Sequence, residues 1–122
     1  MEKLILTVDD SSTIRDQLRD LLEPNGFQIL EADSGEAGLA LARERQADLM
    51  IVDVNMPGMD GLDMIAKVRE LPGYKRTPAF VLTTESSADL LKRGRQAGAN
   101  AWVVKPFQSE TLLKGIHKML DG

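Results

Sequence analysis

A doubly wound α/β fold, with five parallel strands covered on both faces by helices, is the class this sequence predicts. Three observations carry the prediction. Five short β-type runs alternate with five longer stretches of helical period. Two of the runs, Leu49-Met50-Ile51-Val52 and Phe80-Val81-Leu82, are apolar without alternation, as central parallel strands buried on both faces require. A length of 122 residues suits one such domain, expected to span residues 1–122 with no output domain attached.

The elements follow in order. The first run is Leu4–Val8. After it, Ile14, Leu18, Leu21 and Leu22 form one helical stripe, with Ser11 or Ser12 as the cap and Pro24-Asn25-Gly26 as the stop. The second run, Gln28–Ala32, leads to Ser34-Gly35-Glu36, which opens a helix rich in Ala, Leu and charge. The third run, Leu49–Asp53, precedes a helix that begins at Gly61, carries Met64, Ile65 and Val68, and stops near Leu71-Pro72-Gly73. Ala79–Thr83 is the fourth run. Its helix extends from about Ser86 to Ala97 and carries Leu90 and Leu91. Gly94 inside it costs about 1 kcal/mol relative to Ala, so this helix is expected to be the softest. The fifth run is Ala101–Val104. The last helix is expected to take Ser109 as its cap and to bury a face made of Leu112, Leu113, Ile116, Met119 and Leu120.

Composition removes several function classes. There is no cysteine, so a disulfide framework and a Cys-based zinc site are both excluded. A net charge of −4 argues against non-specific binding to nucleic acid or anionic membrane. Met1-Glu2-Lys3 runs straight into an apolar stretch too short for a signal peptide or a membrane span, so a cytoplasmic protein made without a leader is expected. Neither G-x-x-x-x-G-K-[ST] nor G-x-G-x-x-G is present, which speaks against a nucleotide- or flavin-binding module. His117, the only histidine, is expected on the surface. Lys92, Arg93 and Arg95 read as a solvated basic face, or else as a patch for an acidic partner.

In a doubly wound sheet, functional groups gather beyond the carboxyl ends of the strands. That rule selects Asp9 and Asp10 after the first strand, Asp53 at the end of the third, Thr83 at the end of the fourth and Lys105 after the fifth. Two like charges about 4 Å apart repel by roughly 4 kcal/mol at an effective dielectric near 20, so three acids in one pocket call for a retained proton or a cation. Hard oxygen ligands with open positions suit Mg²⁺. One carboxylate as nucleophile, two as metal ligands, and Lys and Thr as oxyanion partners make a site for phosphoryl transfer.

The stretches Val8-Asp9-Asp10-Ser11, Asp53-Val54-Asn55-Met56-Pro57-Gly58-Met59-Asp60-Gly61, Thr83 and Lys105-Pro106-Phe107 resemble the signature set of response-regulator receiver domains over essentially the whole chain. The resemblance implies the flavodoxin-like strand order 2-1-3-4-5. It implies that Asp53 accepts a phosphoryl group from a histidine kinase. Mg²⁺ would be bound by Asp10, Asp53 and the backbone carbonyl of Asn55, with Asp9 acting through water. Lys105 and Thr83 would contact the phosphoryl oxygens, and the peptide before Pro106 would be cis. Trp102 occupies the position of an aromatic switch that is usually Tyr or Phe, a departure that demands a wider receiving pocket. Thr84 stands where Ala or Gly is commoner. Together with Asn55 and Glu85 it falls among the positions that tune the lifetime of the phosphorylated state.

Thr83-Thr84-Glu85-Ser86 with Trp102-Val103-Val104-Lys105-Pro106-Phe107 resembles the chemotaxis branch, the CheY-like partners of CheA-type kinases. That branch implies a signalling protein and not an enzyme beyond its own aspartyl phosphorylation and dephosphorylation. Its output would be a downstream target, such as a flagellar motor switch protein, bound on the surface of the fourth helix, fifth strand and fifth helix, with a phosphatase as a further partner. Phosphorylation would draw in Thr83 and let Trp102 turn inward; a shift from 1:99 to 99:1 needs about 5.5 kcal/mol of differential stabilisation. Other single-domain roles are a phosphorelay intermediate, a phosphate sink or a receiver for pilus-based motility. A small Mg²⁺-dependent phosphohydrolase is the competing enzyme reading. Against it, Asn55 and not an acid stands two positions after Asp53.

Overall fold

The computed structural model describes residues 2–121. Five strands, β1 (Leu4–Val8), β2 (Gln28–Ala32), β3 (Leu49–Asp53), β4 (Ala79–Thr83) and β5 (Ala101–Val104), alternate with five helices, α1 (Ser12–Leu22), α2 (Gly35–Glu44), α3 (Gly61–Arg69), α4 (Ala88–Ala97) and α5 (Ser109–Asp121). The sheet is parallel with order β2-β1-β3-β4-β5, as the resemblance implied. All residues of β1, β3 and β4 are buried, while the edge strands β2 and β5 are partly exposed.

Alternation along the inner strands sorts their side chains into two cores. Leu6, Val8, Met50, Val52 and Val81 face one layer, where they meet Leu39 of α2 and Met64, Ile65 and Val68 of α3. Ile5, Leu49, Ile51, Phe80 and Leu82 face the other, against Leu18 and Leu22 of α1 and Leu112 and Ile116 of α5. Each fully buried leucine or isoleucine contributes roughly 1.5–3 kcal/mol, so this two-sided burial holds the strand ends in register.

Caps set where the helices begin. The side chains of Ser11, Ser34, Asp60 and Ser87 accept backbone N–H groups in the first turns of α1, α2, α3 and α4. Ser11, not Ser12, is therefore the first cap, and α4 begins two residues later than expected. Ser109 is already helical and is not the cap. The Leu112 N–H reaches the Gln108 carbonyl, and the Gln108 side chain accepts from the Thr111 hydroxyl. After α1, a 3₁₀ turn over Glu23–Asn25 closes at Gly26, whose φ of 89° lies in the left-handed region open to glycine.

Candidate functional site

The sheet register puts the chemistry-bearing residues on one edge. Val8 pairs with Val52, Asp53 with Leu82, and Thr83 with Val104, so Asp9, Asp53, Thr83 and Lys105 all stand at the carboxyl ends of neighbouring strands. Asp9, Asp10 and Asp53 each bring a carboxylate oxygen to within 4.8 Å of the others'. Asp9 and Asp53 are buried, at 1% and 5% exposure, whereas Asp10 opens to solvent.

Lys105 bridges the two buried acids. Its Nζ donates to Asp9 Oδ2 at 2.9 Å and lies 3.3 Å from Asp53 Oδ1. Its backbone N–H donates to the Thr83 carbonyl, and the following peptide, Lys105–Pro106, is cis. Burial works against the charge on Lys105, but the bond to Asp9 and the nearby Asp53 charge outweigh it and raise the ammonium above its usual range. Burial, reinforced by the neighbouring Asp9 charge, pushes the Asp53 carboxyl above the usual carboxylate range; Lys105 pulls the other way without winning. One lysine thus leaves the acids undercompensated. Three convergent oxygen donors, two of them buried, fit a hard divalent cation of the Mg²⁺ type.

Surrounding contacts hold these side chains in place. Asp9 Oδ1 accepts the Ser11 N–H at 2.9 Å, and the Asp9 carbonyl accepts from the Arg15 guanidinium. Gly61 backs Asp53: a Cβ there would overlap the Asp53 carbonyl oxygen, so only glycine lets α3 start this close to the strand end. The Gly61 N–H donates to the Val54 carbonyl at 3.1 Å. The sequence marked Gly61 as a helix start and as the end of the Asp53–Gly61 signature stretch but gave no sign that it backs Asp53, and it gave none for Arg15, because neither role is written in local spacing.

Thr83, Asn55, Thr84 and Glu85 lie at or just beyond the ends of β3 and β4. Thr83 is fully buried, and its hydroxyl accepts the Glu85 N–H at 3.2 Å. Asn55, Thr84 and Glu85 are exposed in the loops after β3 and β4. Thr84, Lys105 and Pro106 line a hollow that continues to Ile14, Gln17 and Leu21 of α1. Trp102 is half-buried on β5, and its indole N–H donates to the Glu85 carbonyl at 3.0 Å. His117 is exposed, as expected, 3.6 Å from Asp121. In the basic run on α4, Arg93 is committed elsewhere: it pairs with Asp60 at 2.7 Å and Asp63 at 2.9 Å, tying α4 to the start of α3.

Comparison with known proteins agrees with this geometry. The family described as response regulator receiver domain matches residues 5–117. The chain is 38% identical over 118 residues to the chemotaxis protein CheY of Pseudomonas aeruginosa, covering 96% of this chain and 95% of that one. It is 36% identical over 118 residues to the protein PilH of the same species, covering 97% and 98%. Among solved structures, that of the chemotaxis protein CheY4 of Vibrio cholerae superposes with a TM-score of 0.94 at 40% identity, covering 98% of this chain and all (100%) of that one.

Proposed function

The chain belongs to the response regulator receiver domain family, and from that membership we propose that it acts as a stand-alone, phosphorylation-driven signalling switch with Asp53 as the phosphoacceptor. The observation that carries the reading is the buried Asp9–Lys105–Asp53 bridge with Asp10 beside it. The stand-alone role is supported by relatives that the chain spans nearly end to end.

In this reading an Asp53 carboxylate oxygen attacks the phosphorus of a histidine kinase's phosphohistidine. The O–P bond forms as the N–P bond breaks, and the imidazole leaves. Asp9, Asp10 and Asp53, with the Asn55 backbone carbonyl, would hold Mg²⁺, which supplies charge neutralisation for the phosphoryl oxygens. Lys105, already poised between Asp9 and Asp53, offers its ammonium to the new oxygens. Phosphorylation adds about −1.5 to −2 of charge and strong acceptors. Thr83 then exchanges its bond from the Glu85 N–H for one donated to a phosphoryl oxygen. Asn55, Thr84 and Glu85, exposed at the mouth, tune how water reaches the acyl phosphate.

The output surface we assign is α4, β5 and α5, where Trp102 sits and where Val104 and Met119 are exposed at 47% and 36%. The likeness to CheY supports a CheA-type kinase and a motor-type target, with a phosphatase to reset the switch. The likeness to PilH supports a receiver for pilus-based motility; relay and sink roles rest on the same chemistry. The likeness to CheY supports a cytoplasmic location; no helix among the described residues is long and apolar enough to cross a membrane. A pull-down comparing beryllofluoride-loaded and free protein tests the proposal. We expect a partner retained only by the loaded form and lost in Asp53→Asn; identical capture by all three contradicts a phosphorylation-driven switch.

A further inference from the structure

Trp102 reaches from the edge strand across to α4, and the place where it lands is unusual. A Cβ added at Gly94 would stand 2.6 Å from Trp102 Cζ3 and 3.3 Å from Cε3, against the roughly 3.5–4.0 Å at which carbon atoms pack. Gly94 is the buried residue of α4, while Lys92 and Arg95 on the same helix are exposed. Its backbone is helical, a conformation any residue adopts, so the indole and not the chain path requires glycine here.

The opposite end of the ring is also held. The indole N–H donates to the Glu85 carbonyl at 3.0 Å, and the Glu85 N–H donates to Thr83 Oγ1 at 3.2 Å. A single residue of the β4–α4 loop thus touches both the buried threonine and the tryptophan.

We propose that Gly94 is a positioning residue, a notch in α4 that seats the Trp102 indole and so makes the position of α4 and the ring interdependent. The proposal rests on the reading of Trp102 as the switch residue. A tryptophan is bulkier than a tyrosine or phenylalanine, and α4 accommodates it by omitting a side chain. With the ring seated, its N–H reaches the Glu85 carbonyl. When Thr83 turns toward a phosphoryl group it releases the Glu85 N–H, and a shift of this loop moves the Glu85 carbonyl that fixes how the indole sits in the notch.

The test uses four forms of the full chain: wild type, Gly94→Ala, Trp102→Phe and the double variant. Gly94→Ala is expected to shift Trp102 emission to the red and speed exchange of the indole N–H with solvent. It is also expected to change the apparent beryllofluoride affinity by about threefold or more. In the Trp102→Phe background the same alanine is expected to leave that affinity unchanged within about 1.5-fold, because the ring atoms it overlaps are gone. If Gly94→Ala fails to fold but the double variant folds, the notch is supported by that rescue. An unchanged indole N–H resonance and emission in Gly94→Ala, or an equal affinity change in both backgrounds, overturns the proposal. If Gly94→Ala displaces the indole while beryllofluoride leaves the wild-type indole unmoved, the notch stands and the switch reading of Trp102 fails.

Discussion

Asp53 is held at an energetic cost in the absence of a cation. Burial and the adjacent Asp9 raise its carboxyl above the usual range, so the folded state binds this proton more tightly than the unfolded chain does. For a carboxyl shifted in that direction, the stabilising contribution is complete below the unfolded value near 3.8 and is lost as pH rises through the folded value. Asp53→Asn should therefore raise the metal-free melting temperature at neutral pH, on the order of 1 kcal/mol or a few degrees, with the gap closing toward pH 4. Thermal melts in chelator across pH 4–8 would check this, and equal melting temperatures at neutral pH would count against the electrostatic account. Lys105 is expected to separate chemistry from output. Lys105→Ala should keep the fold and still take up phosphate, yet lose the phosphorylation-dependent partner affinity; normal coupling would remove its switch role. These residues were legible in the sequence because a parallel sheet delivers its strand ends to one edge. Arg15 and the role of Gly61 in backing Asp53 were not, since their partners, the Asp9 and Asp53 carbonyls, are backbone atoms that carry no residue signature.

At the scale of elements, the junction of α3 and α4 is the part least visible from sequence. Asp60 caps α3 through the Asp63 N–H at 2.9 Å and also receives Arg93 from α4 at 2.7 Å. Asp60→Ala should cost about 1–2 kcal/mol in urea unfolding, whereas Arg93→Ala, which removes only a half-exposed ion pair, should cost about 0.5 kcal/mol or less. Equal costs would show that the ion pair and not the cap dominates. Gly61→Ala should be far worse, roughly 3 kcal/mol or more, because the added methyl meets backbone that cannot yield. Strand bounds matched the sequence reading; the apolar runs of β3 and β4 end at Asp53 and Thr83, and β1 stops just before Asp9. The start of α4 and the cap of α5 did not, since a serine near a helix start serves equally as cap or as first helical residue until the turn is seen. Gly94 looked like a weakness in α4. The structure shows it filled by Trp102, a pairing between separate elements that no local period encodes.

For the whole molecule, two cores on either side of one sheet anchor the strands, and the site sits on loops that those strands aim. The cation is expected to couple to global stability. Mg²⁺ at about a hundredfold over its dissociation constant should stabilise the wild type by about 2.7 kcal/mol, reversibly with chelator, and should do little for Asp10→Asn. Class and element order followed from β-type and helical runs. Strand order came from resemblance to receiver domains, because alternation alone does not say which strands are neighbours. The central claim, that Asp53 receives phosphate inside the acid cluster, is tested most directly by incubating the purified chain with radiolabelled acetyl phosphate and Mg²⁺. Label should appear on the wild type, vanish with chelator and be absent from Asp53→Asn. Undiminished labelling of Asp53→Asn, or labelling indifferent to Mg²⁺, would contradict it.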